Sequence, residues 1–349
     1  PYTMKKAIFI IFLFLFSSIF SIVAQPISEV KEFSAKDGLV QGVVTGIIQD
    51  SKGVLWFSTW NGINKFDGYT FKNFKVSYQK EYGQSNNRIN SMCEMLDGNI
   101  LCLAYDGKPY VFNSQENLFY NVLGDIENDI QKKIVINQIY HFDGISWLVA
   151  DDGNCFRMQD QWYKNKDSIV LYNTFNDLLK GDEILKIYQD TAKDEWILTN
   201  KGITILGKKE INTNQSFKYI HEHQGEIYLV TTTNKLAVYD DQTENINFID
   251  IPYTIHAISA ISSLSNHLLV LATDNGVIFY DTEKEEMNRV DIRTATQKSN
   301  NALSIYEDKE GDLWTFTPEP GVMRINVKTR EKQHLFTPKN EVVSYERES

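Results

Sequence analysis

The chain has 349 residues, 42% of them hydrophobic and 23% charged, and its 46 acidic against 35 basic side chains give a net charge of −11. Such an excess of acid disfavours nucleic acid and anionic membrane surfaces as partners. Three cysteines are too few for a disulfide scaffold.

At the N-terminus, Lys5 and Lys6 precede an apolar run over residues 7–23. Residues 1–24 therefore read as a signal peptide or signal anchor. Ala24 suits the last position before cleavage, although Ile22 is bulky for its place. Either reading exports residues 25–349, and no second run of spanning length follows.

From residue 43 onward one pattern recurs seven times, near 43–74, 88–113, 136–158, 183–206, 217–240, 255–281 and 301–326. Each copy carries an apolar run, a polar turn and an anchor: Trp56, Leu101, Trp147, Trp196, Tyr228, Leu269 or Trp314. Copy one predicts strands at 43–48, 55–57, 63–66 and 69–74, with Gly53 supplying the turn. Third strands of the later copies fall at 110–112, 155–158, 203–206, 236–239, 277–280 and 322–325. Glycine follows the anchor by six residues at Gly62, Gly107, Gly153 and Gly202, and by seven at Gly276 and Gly321. Copy five has Asn234 there instead. A mean period of about 43 residues with this strand content predicts an all-β, seven-bladed β-propeller filling residues 25–349.

In such a fold Trp56, Trp147, Trp196 and Trp314 are structural, filling the gap between neighbouring blades. The turn at Asp50 invites comparison with an Asp-box hairpin, but its aspartate-to-glycine gap is one residue longer. Ring closure has two candidates, a strand over 29–33 or one over 332–336. Cys93 and Cys102 flank the Asp97-Gly98 turn. A two-residue turn sets them opposite one another and permits a disulfide, whereas a turn like that of copy one shifts the register and does not. Cys155 has no evident partner.

Gly38-Leu39, Val44, Ile47 and the run QDSKGVLWFSTWNGINKFDGYTF closely resemble the first blade of periplasmic two-component regulator propellers. These are the sensor ectodomains of hybrid two-component histidine kinases. The likeness returns at 305–325 and is fainter in copies five and six. The resemblance implies a signal peptide, two propellers, an immunoglobulin-like domain, a membrane helix, a kinase and receiver domains in a homodimer that detects oligosaccharides. Residues 1–349 carry no kinase histidine motif, nucleotide-binding glycine box or DNA-binding segment. The expectation is a first propeller alone, periplasmic and not itself an enzyme, with no cofactor and no nucleic acid partner.

Catalytic motifs are missing: no Gly-x-Ser-x-Gly, His-Glu-x-x-His or Cys-x-x-Cys. His221 and His223 share a strand face but lack a third metal ligand nearby. Asp125, Glu127 and Asp129 make the 117–133 insertion acidic without calcium-loop spacing.

The loops joining second and third strands all emerge on one propeller face. They carry Trp60-Asn61, Tyr105-Asp106, Asp151-Asp152, Asn200-Lys201, Thr233-Asn234, Asp274-Asn275 and Glu319. Arg88 and Asn300, just before first strands, reach the same rim. The candidate ligand-binding set is Trp60, Asn61, Arg88, Tyr105, Asp106, Asp151, Asp152, Asn200, Asp274 and Asn300. Asp and Asn bond sugar hydroxyls, aromatic rings stack on C–H faces, and Arg88 or Asn300 can meet a uronate or sulfate. Tight turns demand the same Asn, Asp and Gly, so Trp60 and Tyr105 lead. The rival expectations are a secreted propeller lyase or glycosidase, and a non-catalytic scaffold.

Overall fold

The computed structural model describes residues 27–40, 42–76, 86–124, 133–160, 169–171, 182–213, 215–264 and 268–328. The leader 1–24, the acidic positions Asp125, Glu127 and Asp129, and the 332–336 candidate lie outside the described residues. The compact unit Glu29–Asn326 holds the propeller.

Seven four-stranded antiparallel sheets make the blades. Blade one consists of Val44–Gln49, Leu55–Thr59, Gly62–Phe66 and Phe71–Phe74, paired in chain order. Its last strand starts two residues later than expected because Asp67 closes a turn, accepting the amides of Tyr69 (2.9 Å) and Thr70 (2.8 Å). Second strands are buried along their whole length in Leu55–Thr59 and Ile100–Ala104, and past the first residue in Ile145–Ala150 and Glu226–Thr231, because each lies inside its sheet with blades on both sides.

Blade seven closes the ring. Its sheet order places Ile27–Phe33 outside Val322–Lys328, Leu313–Thr315 and Tyr306–Glu307, so the N-terminal candidate supplies the outer strand. Phe33 stacks on Trp314 at 5.4 Å, and Gly321 donates its amide to the Gly42 carbonyl at 2.8 Å. Leu39, 1% exposed, packs with Phe33, Phe57, Phe66 and Trp314 in the seam between blades seven and one.

The anchor tryptophans sit in such seams. Trp56 meets Phe112 of blade two at 5.6 Å, and Trp196 meets Tyr239 of blade five at 5.6 Å. Burying a ring of this size contributes about 2–3 kcal/mol or more. Three of the four also donate the indole N–H to a carboxylate six residues earlier: Trp56 to Asp50 (2.9 Å), Trp196 to Asp190 (2.8 Å) and Trp314 to Asp308 (2.6 Å). Trp147 has His141 at that offset, and the Arg157 guanidinium lies over its ring. In blade five the Tyr228 hydroxyl donates to Glu226 at 2.9 Å.

The cysteine register follows the copy-one turn. Met92 pairs with Cys102 and Cys93 with Leu101, so the two thiols face opposite sides of the sheet and all three cysteines are free. Burial pushes the Cys93 and Cys155 thiols up to about 12.

Candidate functional site

In five blades the rim loop is built on a buried threonine, Thr59, Thr199, Thr231, Thr273 or Thr317, whereas blades two and three have Ala104 and Ala150 there. Thr59, Thr199 and Thr273 each donate a hydroxyl to the carbonyl of the glycine three residues on, at 3.0, 3.3 and 2.7 Å. The same oxygens accept the amides of Asn61, Lys201 and Asn275. Thr317 accepts the Glu319 amide and Thr231 that of Lys235. These hydroxyls fix the loop backbone from below and leave the side chains at the tip free to turn outward.

The glycine that follows has two reasons to be glycine. Gly62 (φ +96°) and Gly276 (φ +92°) lie in the left-handed region, and a Cβ at either would run into the carbonyl oxygen of Phe74 or Val290. Asn234 tolerates the same region at φ +66°. Its side chain donates to the His256 carbonyl (2.7 Å) and accepts the Ile258 amide (3.0 Å), gripping the entry of the next blade.

Backbone hydrogen bonds link these loops into a belt. Gly62 donates to Asn87, Tyr105 to Arg88, Ile136 to Gly107 and Asp151 to Val135, all within 2.7–2.9 Å. Further round, Asn200 donates to Glu183, Asp274 to Ala257 and Gly276 to Asn300. The first strands of six blades carry a bulge beside this belt, between Val44 and Gly46, Ile89 and Ser91, and the equivalent pairs. A bulge turns the strand and re-aims its side chains, here presenting Asn90 and Asn137 to solvent.

The ten candidate residues divide by what their polar atoms do. Trp60 is 42% exposed, Tyr105 65% exposed, and the Arg88 guanidinium lies over the Trp60 ring at 5.0 Å. Since Arg88 also accepts the Tyr105 amide, these three form one contiguous patch across blades one and two. Asn61 lies beside it, its carbonyl held by Asn73 at 3.0 Å. Asp106 caps its own loop through the Lys108 amide, and Asp152 does so through Asn154. Asp151 and Asn200 are exposed, the latter's carbonyl accepting the Ser216 hydroxyl. Asp274 is committed to the backbone amides of His256 (2.9 Å) and Ala257 (3.1 Å). Asn300 accepts the Ile292 amide and donates to Asn275. Asp274 and Asn300 thus spend their polar groups holding the belt.

Sequence reasoning missed the threonines, although Trp-x-x-Thr recurs at 56–59, 196–199 and 314–317. It also missed the bulge positions, which no composition signal marks. His221 and His223 converge on Ser263 of blade six, at 2.6 and 2.9 Å from its hydroxyl. Burial lowers the His221 pKa to about 4. Among the described residues no group of three or more His, Cys, Asp or Glu is placed to hold a metal. The opposite face has an open groove between blades four and five, lined by Asp190, Trp196, Glu222 and Tyr239. Asp190 and Glu222 are occupied there by Trp196 and Thr191.

Residues 38–61 match the family model described as two component regulator propeller. Over 45 residues the chain is 51% identical to histidine kinase P4 of Formosa agariphila, a segment covering 13% of this chain and 3% of the kinase. The fold is similar to a structure described as the extracellular domain of a hybrid two component system from B. thetaiotaomicron. That match has a TM-score of 0.67 and 20% identity, over 86% of this chain and 42% of the other. It is also similar to an inactive virginiamycin B lyase from Staphylococcus aureus, at TM-score 0.65 and 14% identity, over 86% and 100% of the two chains. The chain spans about two fifths of the sensor ectodomain that it matches. The two component regulator propeller repeat thus lies on the first blade of a ring that six further blades complete.

Proposed function

We propose that this propeller is the ligand-reading part of a periplasmic two-component sensor, and that its rim takes oligosaccharides released from polysaccharides. The observation that carries the reading is the exposed Trp60–Arg88–Tyr105 patch on a hydrogen-bonded belt. Neither aromatic ring is needed by its turn, and a large apolar face left in water beside polar groups is the usual chemistry of sugar binding. The likeness to sensor ectodomains supports the same reading. In the full receptor the ligand would favour one arrangement of propellers in a homodimer and pass that preference through the membrane. A second propeller, an immunoglobulin-like domain and the kinase itself would belong to other parts of that receptor.

Calorimetric titration of the chain with a panel of oligosaccharides tests this. Binding without cleavage, weakened about tenfold by Trp60→Ala, supports the sensor. Release of shorter products would favour the lyase or glycosidase reading, and neither binding nor cleavage would leave a scaffold.

A further inference from the structure

We propose that the Trp60–Arg88–Tyr105 patch is an anion-selective subsite, taking a carboxylate- or sulfate-bearing residue at one end of the oligosaccharide. The inference rests on the rim-ligand reading above and adds to it a chemical class and a direction.

Arg88 is exposed, and among the described residues no carboxylate pairs with it. What it does have is a platform. The Trp60 ring, 5.0 Å away, holds the guanidinium by cation–π attraction and leaves its other donors open to solvent. A planar fork pre-set in this way matches a carboxylate or sulfate with two parallel hydrogen bonds. The backbone beneath is fixed as well: the Arg88 amide donates to Asn86 Oδ1 at 2.9 Å, and its carbonyl accepts Tyr105 at 2.8 Å. Little ordering therefore remains to be lost on binding.

Beyond Tyr105 the belt turns acidic. Asp106 stands in the same loop, and Asp151 and Asp152 are exposed on the next blade. An anion placed there meets like charge, whereas neutral hydroxyls find acceptors. The ligand lies with its anionic end over Arg88, a sugar ring against Tyr105 and uncharged residues toward blade three.

The test is calorimetry on the full chain with three oligosaccharides of equal length: one neutral, one ending in a uronate, one ending in a sulfated sugar. At least one anionic probe should bind about tenfold or more tightly than the neutral one. Arg88→Gln should abolish the advantage of that probe, bringing the ratio of anionic to neutral affinity to about one; Tyr105→Ala should weaken all that bind while keeping the ratio. Which anionic arm responds separates carboxylate from sulfate. Equal binding of all three, or a preference that survives Arg88→Gln, overturns the subsite while leaving the rim reading in place. Absence of binding by every probe removes both.

Discussion

Asp308 holds Trp314 by its indole N–H at 2.6 Å while its other oxygen accepts the amides of Glu310 (3.1 Å) and Asp312 (2.9 Å). One carboxylate thus closes the hairpin turn and orients the ring that fills the next seam. Asp50 does the same for Lys52, Val54 and Trp56. Asp308→Asn keeps the shape but has only one acceptor oxygen, so either the turn or the indole is left unpaired in a buried place. Urea unfolding should show a loss of about 1–3 kcal/mol with an unchanged slope. An unaltered midpoint would mean that the indole is satisfied some other way.

Ring closure through Phe33 gives a second expectation. Phe33 is 6% exposed and stacks on Trp314, so Phe33→Ala should cost about 3–5 kcal/mol. The loss should be local in origin: hydrogen exchange should quicken in blades seven and one before the others. Deleting the Ile27–Phe33 strand would bare the outer edge of Val322–Lys328. An uncovered edge is a template for pairing, so this variant should self-associate.

The His221–Ser263–His223 bridge makes stability depend on pH. Burial holds the His221 pKa near 4 in the folded chain, against 6.5 for an ordinary histidine. The unfolded chain therefore binds the proton first, and stability falls as pH drops from about 6.5 toward 4. A gap of this size corresponds to on the order of 3 kcal/mol when fully developed. His221→Gln should flatten this part of the stability profile measured by denaturant titration. A profile as steep as the parent's would show that His221 is not the titrating group.

Lys193 occupies the turn position held by Gly53 and Gly311 elsewhere, at φ +70°. A left-handed backbone costs a side-chain-bearing residue about 1–2 kcal/mol. Its ion pair with Asp143 is exposed and returns little of that. Lys193→Gly should raise the thermal midpoint, and a fall would mean that the salt bridge outweighs the strain.

The blades were readable from sequence because their signals are local and repeated: an anchor, a turn glycine, an apolar run. Even Asn234 in place of glycine could be aligned by offset. The cysteine pair was not decided, since one residue in the Asp97-Gly98 turn changes which face each thiol takes. The rim was harder for a chemical reason. Asp274 and Asn300 carry groups that suit a sugar hydroxyl and a backbone amide equally, and only the folded chain shows the amides claiming them. Trp60 and Tyr105 were legible because no turn asks for an aromatic. Arg88 was placed on the rim, but its stacking on Trp60, some 28 residues away, needed the seam between two blades.

Gly62 ties the rim to that seam. Its amide bonds Asn87, next to Arg88, while the Phe74 carbonyl passes where a side chain would start. Gly62→Ala must therefore shift the loop bearing Trp60 or push the fourth strand outward. The left-handed backbone alone costs about 1–3 kcal/mol, and the clash adds to it. Because the displaced loop carries one half of the Trp60–Arg88 contact, tryptophan fluorescence should change along with the thermal midpoint. A control at Gly68 has φ +99° but nothing within 4 Å of a new Cβ. Gly68→Ala should lower stability by the backbone amount only and leave ligand binding at the rim as it was, whereas Gly62→Ala should weaken both.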